Sequence, residues 1–169
     1  MILLTSCYST KRLIRENNFP TKNLNIKNLS GIYSNNLKKE NSLMLWKTLK
    51  SSHTFKNDTL VYSNSFVELT LFDNENLNVK LLNKADSKII EEFNLRGKIK
   101  GDFFSIDRNL TLIPFPPIYY LNKESKTLIA NDDFGNLIVV KGQVREGMVL
   151  FMAGGNKGVS NYKFERIKN

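Results

Sequence analysis

From Leu29 onward the spacing of apolar residues has a period of two rather than 3.6. In Ser65 to Phe72, Val67, Leu69 and Leu71 fall on one face while Glu68 and Thr70 fall on the other. In Leu77 to Leu81, Leu77, Val79 and Leu81 oppose Asn78 and Lys80. Alternation of this kind predicts half-buried strands, because successive side chains of an extended chain point to opposite faces. Further strand-like runs are Gly31 to Ser34, Thr59 to Tyr62, Lys88 to Asn94, Lys98 to Ile106, Leu110 to Ile113, Thr127 to Ala130, Leu137 to Val144, Met148 to Met152 and Asn161 to Ile167. Turn-forming residues separate them, at Asp73 to Asn76, Asn83 to Asp86, Asp107 to Asn109, Asn122 to Ser125, Asp132 to Asn136 and Arg145 to Gly147. One amphipathic helix is predicted between Glu40 and Ser51, with Leu45, Trp46 and Leu49 on its apolar side. The expected fold is all-β with one short helix: an antiparallel meander closed or nearly closed into a barrel, since closure removes sticky edges. Trp46 is expected to anchor the core, with the helix plugging one end of the barrel.

A length of 169 residues, 41% of them hydrophobic, supports one domain with a sizeable core. The single Cys excludes an intramolecular disulfide, and one Cys with one His leaves no cluster for structural zinc, so neither metal nor cofactor is expected. No run of 18 apolar residues spans a bilayer. The formal charge of +9 first suggests an anionic partner, but its placement changes that reading. Tyr8 to Lys56 carries ten basic and two acidic residues, whereas Asn57 to Asn169 carries fifteen and fourteen. A basic arm on a nearly neutral domain is a poor match to a nucleic-acid groove, and no nucleic acid is expected as partner.

The opening residues Met1-Ile-Leu-Leu-Thr-Ser-Cys7 carry the most information. Leu4-Thr5-Ser6-Cys7 resembles the lipobox of bacterial lipoproteins. The resemblance implies a diacylglyceryl group on the Cys7 thiol, cleavage before it, and acylation of the new amino group by a chain such as palmitate. Residues 1–6 would then be the remnant of a signal peptide. Such a peptide has a basic region and 7 to 15 apolar residues, of which only Met1 to Leu4 are present, so a start further upstream is expected. Residues 7–28, with five basic residues and little apolar periodicity, read as a flexible tether reaching roughly 25 Å, and residues 29–169 as the single β-rich domain. Together these features resemble small lipoproteins of the Gram-negative cell envelope, which implies a monomer anchored by lipid in the outer membrane.

Gly31-Ile32-Tyr33 opening the first strand and Tyr162 to Arg166 closing the last resemble the lipocalin-type barrel family. In that family a Gly-x-Trp packs against a late Arg, which implies that Tyr33 pairs with Arg166. The family often carries apolar ligands inside its barrel, although an interior filled with Phe and Leu leaves no room. Candidate ligand-binding residues are Tyr33, Trp46, Phe115, Tyr119 and Tyr120. The last three fall within Leu112 to Tyr120, where three prolines remove backbone donors and predict an edge or a crossing loop. If its aromatic residues face outward they form a recognition patch, and if inward a lid on the core, the commoner outcome.

Catalytic chemistry is sparse. His53 stands in a polar loop with no nucleophile motif around it, and neither Glu91-Glu92 nor Asp132-Asp133 reads as an acid–base pair. Ala153 to Gly158 lacks the ending of a phosphate-binding loop and reads as a glycine turn between the last two strands. Lys100 to Ile106 resembles an RNA-binding sheet motif only faintly, with Asp102 where an aromatic would stand. The expected role is therefore non-enzymatic: a lipid-anchored envelope protein that is structural or binds an envelope protein. The alternatives are a carrier of a small apolar ligand and a cytosolic basic nucleic-acid-binding protein.

Overall fold

The computed structural model describes residues 9–22, 26–37, 44–53, 64–115, 119–150 and 152–167. Three helical segments, α1 (Thr10–Arg15), α2 (Ile26–Leu29) and α3 (Leu45–His53), accompany nine strands. The strands are β1 (Gly31–Ser34), β2 (Ser65–Leu71), β3 (Asn76–Asn83), β4 (Ile89–Lys100), β5 (Phe103–Ile106), β6 (Asn109–Phe115), β7 (Tyr119–Asn131), β8 (Leu137–Val149) and β9 (Met152–Phe164). All pairings are antiparallel, in the order β1-β2-β3-β4-β5-β7-β8-β9, with β6 also on β7. The expected strand at Thr59 to Tyr62, and residues 40–43 at the start of the predicted helix, lie outside the described residues.

Period two places the core where it was expected. Along β2 the buried and half-buried residues alternate strictly from Ser65 to Leu71. The inner face of the sheet buries Val67, Leu69, Val79, Phe104, Ile129, Val139 and Phe164 together with Leu45, Trp46 and Leu49 of α3. The N-terminus of α3 is held by Asn35, whose carbonyl accepts from Leu45 N (2.8 Å) and whose Oδ1 accepts from Trp46 N (2.8 Å), satisfying two donors that a helix start leaves free. Lys50 ties the helix to β4 through Glu91 at 2.6 Å.

β4 serves two pairings. Its first part pairs with β3 and its last four residues, from Gly97, pair with β5. At this corner the Phe104 ring lies directly over Gly97, so that a Cβ there would meet Ser105 O at 2.5 Å and the ring at 2.7 Å. Only a residue without a side chain lets the two strands approach so closely.

The sheet is not closed into a barrel, which corrects the expected closure. β1 has four residues and β9 has thirteen, so β1 is too short to pair along its would-be partner. The two ends of the order meet at one bridge, Tyr33 with Arg166, flanked by Ser34 N to Glu165 O and Ile167 N to Ile32 O, both 2.8 Å. Arg166 holds this seam: its guanidinium lies over the Tyr33 ring at 5.6 Å and donates to the carbonyls of Asn28 (2.9 Å) and Ser30.

Two further expectations are revised. Residues 9–22 are not a free tether. Ser9 caps α1, Leu13 is fully buried, and Lys22 N donates to Asn131 O at 2.9 Å. Leu13 joins Phe103, Leu128, Ala130, Ile138, Val140 and Val144 in a second apolar cluster on the outer face of the sheet. Second, Asn122 to Ser125, Arg145 to Gly147 and Ala153 to Gly158 are not turns but interior stretches of β7, β8 and β9. Of their glycines, Gly155 passes close to β8, where a Cβ would lie 2.9 Å from Arg145 O, whereas Gly154 and Gly158 have open space around them.

Gly97→Ala is expected to lower stability by about 1–3 kcal/mol through overpacking. Gly158, where an added Cβ meets nothing within 4 Å, should tolerate alanine within about 0.5 kcal/mol. Urea-unfolding midpoints of the two variants check the contrast.

Candidate functional site

β7 and β8 pair along their whole length of 13 residues, yet the cover over them stops part of the way along. At the closed end Ile129 and Val139 face the inner cluster while Leu128, Ala130, Ile138 and Val140 face the outer one, all fully buried. Toward the far end Leu110, Leu112, Ile113, Val149, Leu150 and Met152 are exposed, Met152 by 76%. The register orders this end in rows. Tyr119, Val149 and Met152 stand opposite one another on one face of the last row. Two positions inward on that face are Ile113, Leu121, Gly147 and Gly154, and two further are Thr111, Lys123, Arg145 and Asn156. At about 3.4 Å per residue the Lys123–Arg145 row lies roughly 14 Å behind the apolar row. Like charges directly across a strand pair disfavour the sheet, so two cations there are a cost that stability alone does not explain.

The structure separates the aromatic residues singled out in the sequence. Tyr33 and Trp46 are fully buried in the inner cluster. Tyr33 OH donates to Leu29 O (2.8 Å) and accepts from Asn131 Nδ2 (3.0 Å), and Trp46 packs edge-on against Phe93 at 4.8 Å. Tyr119 is 36% exposed at the bare end, with Tyr120 half-buried beside it. Phe115 pairs with Tyr119 in backbone register. The outward arrangement of the proline-rich segment thus holds at Tyr119, while Ile118 and Cys7 lie outside the described residues. Of the acidic pairs, Glu91 is bound by Lys50, Glu92 accepts from Asn78 Nδ2 at 3.1 Å, and Asp132 is spent on its own turn. Asp132 accepts from Phe134 N, Asn136 N and Lys163. Burial alone would raise its carboxyl, but the bonds from Asn136 and Lys163 outweigh it and hold the group below the usual range.

A residue that the sequence reading passed over sits where the cover ends. Lys141 occupies the inward register of β8, in line with Leu137 and Val139, and is only 7% exposed. Its Nζ donates to Ser51 Oγ, whose own hydroxyl donates to Thr48 O at 2.8 Å. No carboxylate among the described residues pairs with it. Burial pushes its ammonium down to about 8, as expected of a cation withdrawn from water without a counter-ion. A cleft of about 230 Å³ opens over it, lined by Lys47, Thr48 and Ser51 of α3, Gln143 of β8, and Ser160 and Tyr162 of β9. The available signal was a lysine at an inward position directly after the apolar run Leu137 to Val140.

A wider cleft of about 690 Å³ lies at the β4–β5 corner, between Phe72, Asp73, Arg96, Asp107 and Arg108. Among the described residues its charges are balanced, two arginines against two aspartates, and Arg108 lies 3.8 Å from the buried Glu124. Among the described residues no group of three His, Cys, Asp or Glu could hold a metal, and no helix is long and apolar enough to cross a membrane. No protein-family model matches the chain, and neither curated proteins nor solved structures contain a match.

The Lys141 environment makes a signed prediction. Below pH 8 both states carry the charge and the folded state bears its burial cost; between about 8 and 10 the unfolded chain binds more protons, so stability rises with pH, by at most about 1.4 kcal/mol per unit. Burial holds the Tyr33 phenol above 10, so its contribution is lost only at higher pH and leaves this window open. Lys141→Met should flatten the rise and stabilise the protein at pH 7, as read from urea unfolding at pH 7, 8, 9 and 10.

Proposed function

We propose that this chain is a lipid-anchored cell-envelope protein, attached through Cys7, whose β module has a binding role exercised by the bare end of its sheet against the lipid surface. One observation carries this reading: the order of polarity along that end. The row Tyr119, Val149 and Met152 comes first, with Leu150 at the turn beyond it, and the Lys123–Arg145 row follows roughly 14 Å behind, at about 3.4 Å per residue. A membrane interface has the same order, acyl chains first and anionic headgroups behind, with tyrosine favoured between them. Each Lys or Arg near anionic headgroups contributes about 1 kcal/mol, which offsets the cross-strand repulsion noted above.

The path of the N-terminal segment supports the same orientation. Lys22 contacts Asn131, and Glu16 O accepts from Asn161 Nδ2, which lies three rows further up the ladder toward the bare end. Traced back from Lys22 to Glu16, the chain therefore climbs toward that end. Ser9 is two residues from Cys7, a span of at most about 7 Å, so acyl chains on Cys7 would hold the domain against the headgroups rather than clear of them. The carrier reading gains less, because Tyr33, Trp46, Phe104 and Phe164 pack where an apolar ligand would lie.

Two measurements test this. Intact mass of the protein from its native membranes should show acylated Cys7 as the first residue; residues 1–6 still attached and a bare thiol would contradict the anchor. Unlipidated full-length chain should sediment with phosphatidylglycerol vesicles. Leu150→Ser/Met152→Ser should reduce this at least tenfold, and Lys123→Gln/Arg145→Gln by a similar factor at low salt. Unchanged sedimentation of both variants, or saturable binding to single-stranded RNA in place of vesicles, would overturn the reading.

A further inference from the structure

We propose that the cleft between α3 and strands β8 and β9 binds one small tetrahedral oxyanion, free phosphate or sulfate in chemical class, held by Lys141 at its floor and Lys47 at its rim. Three features of the site lead there. The first is an uncompensated charge. Lys141 is taken out of water at the end of the apolar core and, among the described residues, its ammonium is met by a neutral hydroxyl, that of Ser51. A buried cation without an anionic partner bears a large desolvation cost, and proteins retain such a group where something else supplies the anion.

The second feature is the composition of the cleft. Among the described residues the side chains around Lys141 there that can donate to a ligand are the Lys47 ammonium, the Gln143 amide and the Ser160 and Tyr162 hydroxyls, while the hydroxyls of Thr48 and Ser51 donate to the carbonyls of Met44 and Thr48. Among the described residues no carboxylate lines this cleft, whereas the larger cleft at the β4–β5 corner sets Asp73 and Asp107 against its arginines. A site built of donors around a cation fits an acceptor-only ligand, which an oxyanion is. Among the described residues the titratable groups facing Lys141 across the cleft are Lys47 of α3 and Tyr162 of β9, neither of them a carboxylate.

The third feature is position, which decides between two sources of the same chemistry. Lys141 lies eight residues along β8 from Val149, roughly 27 Å at about 3.4 Å per residue. A headgroup belonging to a bilayer that meets the apolar row is too distant to enter the cleft. The oxyanion is therefore a dissolved one, and its binding does not depend on the lipid anchor or on the membrane-facing role of the sheet end.

The test uses the full chain and sulfate, whose charge is constant across the range. Sulfate should bind saturably at pH 6.5, moving the Lys141 side-chain NMR resonances. Affinity should fall at least tenfold at pH 9.5, because only the charged lysine attracts the ion. Lys141→Met should abolish binding, and the rim variant Lys47→Gln, which leaves the core untouched, should weaken it roughly three- to fivefold while the fold is retained. Inorganic phosphate and glycerol phosphate should compete with sulfate; phosphatidic acid vesicles at equal phosphate should not. A linear, unsaturating response to sulfate, undiminished binding by Lys141→Met, or a Lys141 response to vesicles alone would each overturn the assignment.

Discussion

A strand pair is stable only where its faces are covered, and this fold covers one half of its longest ladder. β7 and β8 run side by side for their full length, but α3 and the inner core close one face, and α1 with Leu13 closes the other, only near the Asn131–Leu137 turn. At the opposite end both hairpin ends carry apolar side chains into solvent. The hydrogen bonds of the ladder continue past the point where hydrophobic burial ceases. Everything distinctive about the molecule lies at or beyond that boundary.

The boundary itself explains Lys141. On the inner face of β8 the sequence runs Leu137, Val139, Lys141, Gln143, Arg145, from full core to the charged row in three steps. Lys141 is the first residue after the aliphatic core, still shielded by α3 but facing a space lined with donors. Its buried charge and the exposed apolar row are thus two results of one arrangement, a sheet longer than the core that supports it. Edges of this kind are normally blunted by charge, proline or bulges. Here Pro114 and the glycines of β9 blunt the flanks, and the apolar side chains concentrate at the strand ends instead.

Much of the core was readable from the sequence because it rests on local alternation. Val67, Leu69, Leu71, Leu77, Val79 and Leu81 point inward as their spacing dictates, and Arg166 does lie over Tyr33. What was not readable depends on partners distant in sequence. The docking of α1 turns on Leu13 meeting Ile138 and Val140, which no feature of residues 9–22 announces. The polar stretches Asn122 to Ser125 and Ala153 to Gly158 look like turns because turn chemistry and a bare ribbon share a composition; register with the neighbouring strands makes them β structure. Closure failed as an expectation because it depends on the relative lengths of β1 and β9, and only β9's partner ladder reveals its length. The Tyr119 end and the Lys141 cleft became visible only once rows could be aligned across strands.

Docking of the bare end of the ladder on a lipid surface is tested most directly by hydrogen exchange on the full chain with and without anionic vesicles. Vesicles should slow exchange at Ile113, Tyr119, Tyr120, Val149 and Met152 while Leu128 to Ala130 and Ile138 to Val140, already protected by the core, stay unchanged. Exchange at the bare end that is indifferent to vesicles, or slowing confined to the covered half, would contradict it.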